Sequence, residues 1–250
     1  MLGLIRAELA RYAIELKNYY PDQIVDVVIK YILFVAFFSA FAPDSENTVY
    51  YIGYLYWIVA SGVISEMSMA MSSEKQIGTV EHIMIMPNSL LRTLVVRTYI
   101  VLLATIVKCA LIVALISLTL PVGFSFNLIT LITFIISLIG FTGIGLALSG
   151  LTMKFAKVAS FESLISYGLL LVSGTVISFN QFPNVIERGL EVIPFTAAIL
   201  ISQQSLLGID PSMPRLLALL VQNIAFAILG YVVFKIFFAN AKSKGIANNY

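Results

Sequence analysis

Six runs of roughly twenty or more mostly apolar residues dominate this chain, at about 24–42, 49–71, 94–120, 126–151, 161–179 and 216–238. A helix needs about 20 such residues to cross the hydrocarbon core of a bilayer. The runs are apolar on every side, so they do not read as the alternating strands of a membrane barrel. Composition removes the soluble alternatives. Of 250 residues, 60% are hydrophobic and 11% charged, against about 25% charged in an ordinary soluble domain. The mean hydropathy of +0.97 is also too high for a disordered chain. The expected class is an all-α, polytopic membrane protein, one domain over residues 1–250.

Chemical breaks separate the runs. Pro43-Asp44-Ser45-Glu46-Asn47 ends the first, Pro121-Val122-Gly123 turns the third into the fourth, and Lys154 to Ser160 is a short basic link. Residues 180–215 hold four prolines, Pro183, Pro194, Pro211 and Pro214. That segment is apolar but too interrupted for a clean span, so a re-entrant or outer-leaflet helical segment is expected there. Lys and Arg set the orientation, because they accumulate on the cytosolic side. With both termini inside, eleven of them fall on inner segments and two, Arg188 and Arg215, on outer ones. The chain is therefore expected as a multi-pass protein of the cell membrane with both ends cytosolic.

Residues 1–20 precede the first run. Leu2, Ile5, Leu9, Tyr12, Leu16 and Tyr19 recur at steps of three and four and share one helical face. Arg6, Glu8, Arg11, Glu15 and Lys17 fill the rest, and Pro21 breaks the pattern. An amphipathic helix lying on the membrane surface is expected; the alternative is a helix packed on the protein's own cytosolic face.

The loop 74–89 is the most informative stretch: Glu74-Lys75-Gln76-Ile77-Gly78-Thr79-Val80-Glu81-His82-Ile83-Met84-Ile85-Met86-Pro87. Thr79 suits a helix N-cap, and Glu81 stands where the helix dipole favours negative charge. Pro87 ends the helix within about two turns. Val80, Ile83, Met84 and Met86 give it apolar surface, of the kind that meets a partner or packs against the protein's own spans.

The run E-x-x-x-G-T-x-E-x-[IL]-x-x-x-P, behind an amphipathic N-terminal helix and a second span, resembles the type 2 ABC-transporter permeases. Gly78, Thr79, Glu81, Ile83 and Pro87 carry the likeness, as does the proline-centred outer segment Ile193-Pro194-Phe195-Thr196. Gln76 and Met86 depart from the pattern. The resemblance implies an N-terminal elbow helix, six transmembrane helices, a cytosolic coupling helix and an outer re-entrant segment. It also implies that the coupling helix docks on a separate ABC ATPase subunit, at Glu74, Lys75, Gly78, Thr79, Glu81, Ile83, Met84 and Pro87. Two permease subunits, as a homo- or heterodimer, would line one pathway through the lipid. ATP and Mg would be bound by the ATPase, and no cofactor or nucleic acid by this chain.

A nucleotide site of its own is not expected. A phosphate-binding loop needs Gly-x-x-x-x-Gly-Lys-Ser/Thr. The nearest match, Gly145 to Thr152, has Leu151 in place of the lysine and lies inside a span. Gly140, Gly143, Gly145, Ser149 and Gly150 read instead as a close helix-packing face, with a substrate-path role as the alternative. One cysteine, Cys109, and one histidine, His82, leave no Cys-based metal cage and no intramembrane Ser–His pair.

Charges within spans narrow the candidates for a transport path. Asp26 and Lys30 stand at i, i+4 and read as an ion pair. Glu66 is near the inner end of its run. Lys108 is about 14 residues into the third run, at mid-membrane depth, where a charge is costly and marks a functional site by default. Tyr50, Tyr51, Tyr54, Tyr56 and Trp57 crowd the outer start of the second run. They read first as an interfacial belt, with Tyr54 and Trp57 as candidates, beside Lys108, to line the path. The expected function is the permease of an ATP-driven exporter of a lipophilic or amphipathic substrate. The alternatives are a secondary transporter or another substrate-binding membrane subunit, for which inverted repeats would argue, and a membrane enzyme, which would need clustered acids or histidines.

Overall fold

The apolar runs fold as helices, as chains without water to satisfy their backbone must. The computed structural model describes residues 2–41, 51–78, 90–120, 124–155, 159–175, 183 and 189–244. Every regular element among them is helical: α1 (Leu2–Asn18), α2 (Tyr20–Phe41), α3 (Tyr51–Ile77), α4 (Leu90–Thr119), α5 (Leu128–Lys154), α6 (Ala159–Leu171), α7 (Pro194–Leu206) and α8 (Met213–Lys244). Three are long and apolar enough to cross a membrane: α4, α5 and α8 over Met213–Ala241. A count of six also needs α2, α3 and the chain around α6. α2 has 22 residues and α3 has 27, but charged and polar residues interrupt both.

The ends follow local chemistry. α1 stops at Asn18, and Pro21 sits in the first turn of α2, where its missing N–H costs nothing. Asn127 caps α5, its side-chain oxygen accepting from the Thr130 N–H at 2.8 Å. Pro194 opens α7, and Gly208 follows it at φ +83°, a left-handed conformation that glycine adopts without strain. The expected fifth span, 161–179, is helical only to Leu171. Thirteen residues make about 20 Å, short of the bilayer core. Residues 172–175 turn away, with Ser173 Oγ donating to the Leu170 carbonyl at 2.6 Å and Gly174 at φ +74°. Residues 176–179 lie outside the described residues.

α5 is the central helix, packed against α8, α3 and α7. Gly143 and Gly150 face α8, whereas Gly145 faces Met67 of α3. A Cβ at Gly143 would stand 2.5 Å from the Phe226 carbonyl oxygen, and one at Gly150 would stand 2.8 Å from the Phe234 Cα. The glycine-rich face of the fourth run is therefore a helix seam.

α7 is buried among α3, α5 and α8, with Phe195, Ala198, Ile199 and Ser202 fully enclosed. Two of its hydroxyls are bonded: Ser202 bonds Thr133 at 2.7 Å and Tyr56 at 3.0 Å, and Ser205 accepts from Asn127 at 2.6 Å, while the buried Thr196 hydroxyl has no hydrogen-bond partner among the described residues. This placement corrects the aromatic-belt expectation. Tyr51, Tyr54, Tyr56 and Trp57 are all at most 5% exposed. They are packing residues of the interior, because neighbouring helices enclose the N-terminal half of α3.

Candidate functional site

α1 turns one charged residue, Glu8, inward and leaves several apolar residues exposed beside Arg6, Glu15 and Lys17. Glu8 is buried, while Leu2, Leu9 and Ile14 are exposed. Water would disfavour such an apolar face. The inward side is an ion network. Arg97 of α4 donates from Nε to Glu8 at 3.2 Å and from its terminal nitrogen to Glu74 of α3 at 3.3 Å. Arg11 joins Glu8 and Glu15, each at 2.8 Å, and reaches Glu66 at 3.9 Å. Three helices thus meet through two guanidinium groups. A planar fork with several donors can serve two carboxylates at once.

This network borders the loop that the sequence singles out. Glu74 pairs with Arg97, and Lys75 is buried, its ammonium donating to the Met153 carbonyl at 3.1 Å. Burial holds the Lys75 pKa below its ordinary value. Both side chains are engaged within the chain. Gly78 ends the described part of the loop at φ +77°, with no atom of the described residues within 4 Å of its missing Cβ. Thr79, Glu81, Ile83, Met84 and Pro87, with His82, lie outside the described residues.

Deeper along the helices is a cleft of about 550 Å³. Asp26, Lys30, Trp57, Glu66, Lys108 and Glu162 are among its walls, contributed by α2, α3, α4 and α6. Asp26 pairs with Lys30 at 2.7 Å, as the i, i+4 spacing indicates, and with Lys108 at 3.1 Å. Lys108 is thus bonded to an acid 82 positions earlier in the chain. Trp57 donates from Nε1 to the Ser166 carbonyl at 2.8 Å, and Tyr54 donates to the Lys30 carbonyl at 2.5 Å. Trp57 and Lys108 share the cleft, whereas Tyr54 is buried behind it.

A larger hollow of about 690 Å³ lies between α3, α4 and α5, lined by residues such as Ile52, Val59, Val113 and Phe134. Its mostly apolar walls offer a ligand few polar groups to read. Among the described residues, no three His, Cys, Asp or Glu side chains are grouped to hold a metal ion.

Sequence reasoning missed the Glu8–Arg97–Glu74 link. Glu8, Arg11 and Glu15 do fall at i, i+3 and i+7, a charged stripe that signals a polar docking face, but nothing local identifies Arg97 as its partner. Comparison with known families gives one match: the model described as ABC-2 type transporter covers residues 4–207, from α1 to the end of α7. No curated protein matches the chain.

Proposed function

This chain belongs to the ABC-2 type transporter family, and on that premise we propose that it is the permease subunit of an ATP-driven exporter. It works as one of two permease subunits, crosses the cell membrane six times with both ends in the cytosol, and moves a lipophilic or amphipathic substrate outward by alternating access. A separate ABC ATPase docks on the loop 74–89 and supplies the energy. α1 lies on the membrane as an elbow, with Leu2, Leu9 and Ile14 in the lipid interface. The charged cleft beside Trp57 and Lys108 contributes to the substrate path.

The observation that carries this reading is the family match, which spans the elbow helix, the loop and the buried outer helix in one stretch. The ion network supports the docking assignment. It fixes Glu74, four residues before Gly78, to α1 and α4, so a push on the loop is delivered to three helices at once.

Substitution in the loop provides the test. Gly78 has a positive φ and, among the described residues, no atom near its missing Cβ. Gly78→Val therefore strains the backbone by about 1–2 kcal/mol without a clash against any described residue. Substrate-stimulated ATPase activity of the reconstituted complex should fall several-fold in Gly78→Val and in Glu81→Ala, with membrane insertion unchanged. Full coupling in both variants would remove the docking assignment.

A further inference from the structure

Two neighbouring residues at the C-terminal end of α3 reach different helices. Glu74 pairs with Arg97 of α4 and, through it, with Glu8 of α1. Lys75, 6% exposed, donates to the Met153 carbonyl of α5 at 3.1 Å. Met153 is the last residue but one of α5. Carbonyls in the last turn have no partner within their helix, and the helix dipole favours a cation there. Lys75 therefore closes the end of α5, as the Phe155 N–H does at Leu151.

The grouping of the helices gives these two contacts their importance. α4 packs on α1 and α2, and α5 packs on α7 and α8. Among the described residues, α3 is the one helix packed extensively on both α4 and α5. Towards the N-terminal end of α3, the hollow of about 690 Å³ lies between α4 and α5. Towards Glu74 and Lys75, the junction has a small core of its own. Met67 and Met71 of α3 share it with Leu90 and Leu94 of α4, Met153 of α5 and Phe234 of α8. Methionine adapts to irregular gaps and repacks easily. Apolar packing alone thus leaves the end of α5 loosely defined, and a directional bond to its last turn fixes it.

We infer that Lys75 is a positioning residue that carries displacement of the loop 74–89 into α5 and, through the glycine seam, into α8. Glu74 carries the same displacement into α4 and α1. α3 then acts as a yoke between two helix groups, and Lys75 works inside the chain rather than on a docked subunit. The transmission rests on the permease reading, whereas the tie between α3 and α5 needs no ATPase.

Two distance measurements test the two parts, both in a Cys109→Ser background. In the first, the full-length chain alone carries spin labels at Ile77→Cys and Phe155→Cys, both exposed positions. Lys75→Met should raise the population outside the parent distance about tenfold, the loss of one hydrogen bond from a charged group. Lys75→Arg should restore the parent distance. In the second, the complex with its ATPase carries labels at Tyr99→Cys on α4 and Phe155→Cys on α5 and is trapped with ADP and vanadate. The parent distance should shift on trapping. Lys75→Met should lose most of that shift while binding the same amount of ATPase, and Lys75→Arg should recover it. A lysine that served stability alone would change yield and leave the shift intact. Parent-like distances in Lys75→Met overturn the tie, and a full shift on trapping overturns the transmission. Loss of bound ATPase in Lys75→Met would make it a docking residue and overturns the inference equally. If the parent chain binds no ATPase, the permease reading fails with the transmission, and the first measurement still upholds or overturns the tie.

Discussion

Arg97→Met is expected to release α1 from the rest of the protein. Arg97 is 8% exposed and is hydrogen-bonded to Glu8, itself 8% exposed, and to Glu74. Removing one partner of a buried ionic group costs about 3–5 kcal/mol, because the other is left desolvated. Glu8 keeps Arg11 at 2.8 Å, so the lower end of that range applies. About 3 kcal/mol is roughly a hundredfold in the population of the detached state. Trypsin reports it, since Arg6, Arg11 and Lys17 lie on α1. Cleavage there should accelerate by about that factor in Arg97→Met. Arg97→Lys should recover only part of the protection, because one ammonium does not reproduce a two-sided fork. Arg11→Met, at a side chain 36% exposed, should change the rate far less, an exposed pair being worth about 0–1 kcal/mol. Equal protection of α1 in Arg97→Met and the parent would contradict the network's role.

The α5/α8 seam should tolerate even less. A Cβ added at Gly230 would fall 1.9 Å from the Gly143 carbonyl oxygen, and one at Gly143 would fall 2.7 Å from the Ala227 Cα. Overpacking costs about 1–3 kcal/mol where side chains can move aside. Here the obstructing atoms are backbone, so the helices themselves must separate. Gly230→Ala and Gly143→Leu are expected to abolish recovery of monodisperse protein after detergent extraction. Gly168, on α6, has nothing among the described residues within 4 Å of its missing Cβ. Gly168→Ala should be neutral or gain about 0.5–1 kcal/mol from helix propensity. A Gly230→Ala protein as stable as the parent would mean that α5 and α8 do not meet at these residues.

Much of this architecture is written in local chemistry. The break at Pro21, the Asp26–Lys30 pair and the small-residue face of α5 all depend on neighbours within a few positions, where sequence spacing and geometry coincide. Partners across the fold are different. The small-residue face announces a close contact but does not name α8. Lys108 stands out by its depth, but its acid is Asp26, and no periodicity joins positions 82 apart. The aromatic cluster of α3 misleads for the same reason. Tyr and Trp near a span end suit an interface, and only the return of α7 into the bundle turns Tyr56 toward Thr133 and Ser202. Leu171 to Thr175 shows the limit of hydropathy. The run remains apolar past residue 171, yet Ser173 and Gly174 end the helix through one side-chain bond and one positive φ.

The permease reading makes this chain one part of a machine whose energy source is a separate polypeptide. Affinity purification of the tagged full-length chain from native membranes in mild detergent, with its companions identified and their ATPase activity measured, addresses that most directly. The expected result is stoichiometric recovery of a subunit bearing a phosphate-binding loop, with ATPase activity that Gly78→Val reduces. Recovery of the chain without any ATPase, fully active in transport driven by an ion gradient, would contradict it.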